Sequence, residues 1–133
     1  MIKFYLWNKA ASASSAKSEE TSMAFRRLCD MADLLRGDMR EFELEGHSVL
    51  VVWPEQGDLR AFQAHCLHES LPLIDGSLVG NELTCAAHNW TFDAQTGENK
   101  LPGEGCLAVY PLRIDDGNVL VDLEAMKPRR RGE

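Results

Sequence analysis

Cys66-Leu67-His68 and, after sixteen intervening residues, Cys85-Ala86-Ala87-His88 are the residues of this chain best suited to hold a metal. Each pair offers one thiolate and one imidazole from a short stretch. Together they make a Cys2His2 set split as C-x-H and C-x-x-H. Structural zinc sites instead group cysteine with cysteine and histidine with histidine, at C-x2–4-C and H-x3–5-H spacings. The split set suits a two-iron cluster in which one iron takes both thiolates and the other both imidazoles, because each of two loops straddling it must then give one of each. Zinc also accepts thiolate and imidazole, so geometry has to separate the two readings. Lone histidines are more often surface or satisfied core residues, which is how His47 and His65 read.

The residues that follow carry a resemblance. The spacing, then Trp90-Thr91-Phe92-Asp93 and a segment ending Leu101-Pro102-Gly103, resembles Rieske-type ferredoxins. His88-Asn89-Trp90-Thr91-Phe92 with Cys106-Leu107-Ala108-Val109-Tyr110-Pro111 is most similar to the ferredoxin component of bacterial toluene and alkene diiron monooxygenases. The likeness runs from roughly Met23 to Leu123. Many family members carry proline between the first Cys and His, where this chain has Leu67, a departure that bears on the rigidity of the first loop rather than on ligation.

The resemblance implies an all-β Rieske fold: an antiparallel sandwich or barrel-like base with an inserted cluster-binding subdomain at about residues 63–103, within a domain spanning 23–125. It implies one 2Fe-2S cluster, with Cys66 and Cys85 on the inner iron and His68 and His88 on the outer. Trp90, and Pro102 in a third loop closing over the cluster, would be its nearest neighbours beyond the ligands. It also implies the partners, an NADH-dependent flavin reductase as donor and a diiron hydroxylase as acceptor. The carrier is expected to be monomeric and cytoplasmic, docking through a rim around His68, Glu69, His88 and Asn89.

Neutral imidazoles in place of two thiolates make a cluster less negative and raise its potential above that of all-cysteine ferredoxins. High-potential relatives add a disulfide between the loops, at positions held here by Leu71 and Ala87. They also carry a serine hydroxyl two residues after the second histidine, where this chain has Trp90. Both absences point to the low end of the Rieske range, which runs from about −150 to +300 mV.

A chain of 133 residues accommodates one domain with its own core. Formal net charge is −7, which disfavours nucleic-acid binding and suits steering toward a basic patch on another protein. No stretch reaches the eighteen apolar residues of a membrane helix. Cys29 and Cys106, left over from the ligand set, read as small apolar filler. Residues 1–22 are expected to be a disordered extension, lacking both the apolar run of a secretory signal and the arginines of a presequence. Residues 126–133, with Arg129-Arg130-Arg131, are expected to be a solvated tail.

The elements that must position the ligands read as short strands between turns. Ala24–Asp30 is a predicted strand and Met31–Arg36 a helical turn. In Arg40–Glu45, Phe42 and Leu44 alternate with glutamates, the signature of a half-buried strand. Val49–Trp53 is a continuous apolar run suited to burial on both faces, and Leu59–Ala64 returns into the first ligand loop. Ser77–Thr84 leads into the second loop and Thr91-Phe92 leads out. Tyr110–Ile114 and Val119–Leu123 flank the hairpin turn Asp115-Asp116-Gly117-Asn118.

Function then divides into classes. A catalytic oxygenase subunit needs a 2-His-1-carboxylate triad, and only His47 and His65 remain after the cluster pairs, with no room for a second domain. An electron carrier that is not catalytic alone is the favoured reading. The ferredoxin of an aromatic-ring dioxygenase and the small subunit of a nitrite reductase are alternatives within it. A non-redox zinc module is the alternative outside it.

Overall fold

The computed structural model describes residues 24–67, 71–86, 90–101, 103 and 105–129. Among these the chain is built from antiparallel strands: β1 Phe25–Asp30, β2 Asp38–Leu44, β3 His47–Trp53, β4 Arg60–Gln63, β5 Ser77–Val79, β6 Glu82–Thr84, β7 Thr91–Asp93, β8 Asn99–Leu101, β9 Val109–Tyr110, β10 Leu112–Asp115 and β11 Asn118–Asp122. They form three sheets ordered β1-β11-β10, β2-β3-β4-β9 and β5-β6-β7-β8. This is the all-β architecture expected from the sequence.

The apolar run of β3 decides how the sheets stack. Val49, Leu50, Val51 and Val52 are all buried, and side chains along a strand alternate between faces. Val49 and Val51 join a core with Cys29, Ala61, Tyr110, Val119 and Val121, on the side of the β1-β11-β10 sheet. Leu50 and Val52 join a second core with Phe62, Leu83, Phe92 and both Cys66 and Cys85. The sheet containing β3 is therefore the middle layer, and one of its faces is the floor of the cysteine loops. Such burial, at roughly 25 cal/mol per Å² of apolar surface, is the main term holding the layers together.

Turns follow their local chemistry. Glu45 (φ 52) and Gly46 (φ 83) join β2 to β3, and Asp116 (φ 54) and Gly117 (φ 80) join β10 to β11. Two successive positive φ values give the turn whose twist matches a two-residue hairpin.

Three expectations change in detail. Ser77–Thr84 is not one approach strand but the hairpin β5-β6, turned at Gly80 (φ 60). Asn99–Leu101, to which the sequence reading gave no element, is an edge strand beside β7. Tyr110–Ile114 is split at Pro111, which has no N–H to donate: β9 pairs with β4 in the middle sheet, while β10 pairs with β11 in another.

Candidate metal centre

Both cysteines sit at the head of a hairpin, one step beyond its last ladder pair. In the first, Leu73 donates to the Ala64 carbonyl at 2.8 Å, His65 and Pro72 form a bridge, and the Cys66 N–H donates to the Leu71 carbonyl at 2.9 Å. In the second, Thr84 pairs with Thr91 and the Cys85 N–H donates to the Trp90 carbonyl at 2.8 Å. Each bond fixes a cysteine backbone and returns the chain after the same number of residues. The two loops are thus built alike despite their different C-x-H and C-x-x-H spacings.

Gly76 joins the hairpins. It follows a 3-10 turn at Leu73–Asp75, and a Cβ placed on it would collide with the Thr84 carbonyl just before Cys85. Only glycine allows that approach, and the reason is the missing Cβ rather than a left-handed backbone, since its φ is −88°. The chain between the two loops is held against the base of the second one.

Cys66 (4 % exposed), Cys85 (1 %) and Trp90 (8 %) lie in one apolar cluster with Leu67, Leu83 and Phe92. None of the four cysteines of the chain is in a disulfide. Two buried thiols borne on matched hairpin tips fit a soft, thiolate-seeking metal group. His68 and His88, the imidazole half of the expected set, and Glu69, Asn89 and Pro102 lie outside the described residues. Leu67, between the first Cys and His, is buried at 3 % and belongs to the apolar cluster that holds Cys66 and Cys85.

Two side-chain amides brace the elements around the site, and periodicity alone does not reveal them. Asn99 is buried and donates from Nδ2 to the Thr91 and Leu101 carbonyls, each at 2.8 Å, while its Oδ1 accepts from the Gly103 N–H at 2.8 Å. It ties Leu101 and Gly103 to the strand leaving the second loop. The only legible hint is an Asn placed shortly before Pro-Gly, a common local capping arrangement. Gln95 Oε1 accepts from the Asp58 N–H at 3.0 Å and its Nε2 donates to the Asp58 carbonyl at 2.8 Å, tying the β7–β8 turn to the β3–β4 turn.

The leftover cysteines part company. Cys29 is 4 % exposed in the core beneath β1, and burial, reinforced by Asp33 and opposed by Arg27 and Arg40, pushes its thiol up to about 11. Cys106 is only half-buried; its single S–H is shared between the Thr96 and Leu107 carbonyls, each 3.3 Å from Sγ. Burial raises its pKa as well. The apolar-filler reading describes Cys29, while Cys106 is a weak hydrogen-bond donor in a strand bridge with Glu98.

Among the described residues no helix is long and apolar enough to cross a membrane.

Comparison with known proteins agrees with this arrangement. The sequence profile of the Rieske [2Fe-2S] domain matches residues 24–111. The chain is 32% identical over 110 residues to the ferredoxin component of the alkene monooxygenase system of Xanthobacter autotrophicus (strain ATCC BAA-1158 / Py2), covering 82% of this chain and 89% of that protein. It is 34% identical over 103 residues to the ferredoxin component of biphenyl 2,3-dioxygenase from Rhodococcus jostii (strain RHA1), covering 77% and 95%. Among solved structures, the Sphingomonas yanoikuyae B1 ferredoxin superposes with a TM-score of 0.66 at 29% identity, over 74% of this chain and 97% of that one. With matched cysteine hairpins, a three-sheet β architecture and these similarities together, the chain belongs to the Rieske family, and its cofactor is one Rieske-type 2Fe-2S cluster.

Proposed function

We propose that this chain is the ferredoxin component of a toluene- or alkene-type monooxygenase system, taking single electrons from an NADH-dependent flavin reductase and passing them to a diiron hydroxylase. The observation that carries the reading is the similarity to the alkene monooxygenase ferredoxin along nearly the full length of that protein. Cys66 and Cys85 are assigned to the inner iron and His68 and His88 to the outer, with residues of about 63–103 as the cluster-bearing subdomain of a 23–125 domain. The two buried thiols and their matched loop closures support that assignment.

The bound cluster supplies a one-electron couple and makes or breaks no bond in a substrate. The chain's own work is to hold that couple still and let a partner approach one side. Backbone bonds at Cys66 and Cys85 fix both loops, and the apolar packing of Leu67, Trp90 and Phe92 keeps water from the thiolate side. Contact with partners falls to the rim of His68, Glu69, His88 and Asn89, with Trp90 and Pro102 bordering the cluster. Net charge −7 suits steering to a basic surface. The protein is not catalytic alone, and it works as a monomer in the cytoplasm.

A second reading, ferredoxin of an aromatic-ring dioxygenase, is favoured by the 34% identity to the biphenyl dioxygenase component. Reconstitution separates them. The purified holoprotein is mixed with a flavin reductase and NADH, then with either a diiron hydroxylase or a ring-hydroxylating dioxygenase. NADH-dependent turnover with the hydroxylase is expected. Turnover with the dioxygenase alone would transfer the assignment to the second reading, and a colourless protein without iron would remove both.

A further inference from the structure

Gln63 and Asn99 are the two buried polar residues among those described, and the surroundings of Gln63 extend to the chain's C-terminal segment. Gln63, 3 % exposed, ends β4, the strand that runs into the first cysteine loop. Its Nε2 donates to the His65 carbonyl at 2.9 Å and to the Arg129 carbonyl at 2.9 Å. Its Oε1 accepts from the Ala108 N–H at 2.8 Å and from the Arg129 N–H at 2.8 Å. Both donors and both acceptor positions of the amide are used.

The two bonds to Arg129 close a ring like that exchanged by paired residues of antiparallel strands. A side chain thereby substitutes for a neighbouring strand, and the segment ending at Arg129 lies along the molecule instead of leaving it. The other two bonds fix His65, which precedes Cys66, and Ala108, which leads into β9. Because the Gln63 Nε2 bonds the His65 and Arg129 carbonyls together, the Arg129 backbone lies beside the residue that precedes Cys66, and its side chain starts from there. The sequence reads this stretch as solvated tail; the hydrogen bonds tie it to the root of a cluster loop.

We propose that Gln63 is a positioning residue for the redox centre: its amide clasps the backbone of Arg129 and so tethers that residue's positive charge to the root of the first cysteine loop, where it favours the reduced cluster. The proposal rests on Cys66 as a cluster ligand. A cation held near the cluster stabilises the added electron and raises the midpoint potential, more so where protein rather than water surrounds it.

The test is a cycle of variants of the full chain in holo form, read by midpoint potential and EPR spectrum. Arg129→Gln keeps the backbone clasp and removes the charge. It is expected to lower the midpoint potential at low ionic strength without changing the g values, and Arg129→Lys should restore it. Gln63→Met removes the clasp, and in that background Arg129→Gln should lower the potential by less than half as much. An Arg129→Gln protein with the wild-type potential, or an equal drop in both backgrounds, would overturn the proposal. Should Gln63→Met fail to fold, Gln63→Asn, whose amide is one methylene too short to reach Arg129, takes its place in the cycle: a smaller drop on Arg129→Gln in that background would support the proposal, and an equal drop would overturn it. Failure of the underlying assignment reads differently, as a wild-type protein with no Rieske EPR signal at all.

Discussion

The Cys85 backbone N–H donates to the Trp90 carbonyl at 2.8 Å, as the Cys66 N–H does to Leu71 at 2.9 Å. Trp90 therefore closes the second cysteine loop through its backbone, while its indole packs in the same apolar cluster as both thiols.

These two contributions can be separated experimentally. Trp90→Ser keeps the carbonyl and places a hydroxyl where high-potential relatives have one. The wild-type midpoint is expected below about 0 mV, in the lower part of the Rieske range. The serine variant should lie higher by ~60 mV, the one-electron equivalent of about 1.4 kcal/mol. Protein-film voltammetry on both decides it; a wild-type midpoint near the top of the range, or no rise in the variant, would contradict the account.

Gly76 has no room for a side chain. A Cβ there meets the Thr84 carbonyl, a backbone atom that cannot rotate aside. Gly76→Ala is expected to destabilise the protein by about 1–3 kcal/mol, the usual cost of overpacking, and to lower iron content per chain. Thermal unfolding and iron analysis report both effects. Gly80→Ala is the control for iron content: its φ of +60 costs an alanine about 1–2 kcal/mol of backbone strain, but nothing lies within 4 Å of its Cβ position, so iron per chain should stay at the wild-type level.

Cys29 makes stability depend on alkaline pH. Its pKa is raised in the fold to about 11, chiefly by burial, from 9.0. The folded state thus retains a proton that the unfolded chain gives up, so the stabilisation is whole below pH 9 and is lost as pH rises toward 11. At most about 3 kcal/mol is involved, at 1.36 kcal/mol per unit. Urea unfolding at pH 7, 9 and 10 should show falling midpoints. The fall should shrink in Cys29→Val; identical slopes in the two proteins would assign it to other groups.

Glu69→Lys tests the docking rim. Reversing a charge there should slow reduction of the hydroxylase about tenfold at low salt and less at high salt, with the visible spectrum of the ferredoxin unchanged. Stopped-flow reduction measured against ionic strength provides the comparison. A rate equal to wild type at low salt would place the contact elsewhere.

Much of the molecule was legible because its signals are local. The C-x-H and C-x-x-H pairs name a chemistry by donor type, the Glu45-Gly46 and Asp116-Gly117 turns declare hairpins, and the unbroken run Val49–Val52 announces a strand covered on both sides. Other features were hidden for an equally physical reason. Nothing in Leu112 says that the strand resumes in a different sheet after Pro111, since that depends on which neighbour offers hydrogen bonds.

The sequence by itself therefore determined donor identity, strand character and net charge, each a property of side chains or of neighbours along the chain. Only the tertiary structure decided what depends on residues far apart in sequence. It set Cys66 and Cys85 in one apolar cluster, it brought Gly76 against Thr84, and it matched the Gln63 amide to a backbone sixty-six residues away. Amide brackets of that kind have no period and no motif, because a glutamine's partners are chosen by whichever backbone the packed layers leave within reach.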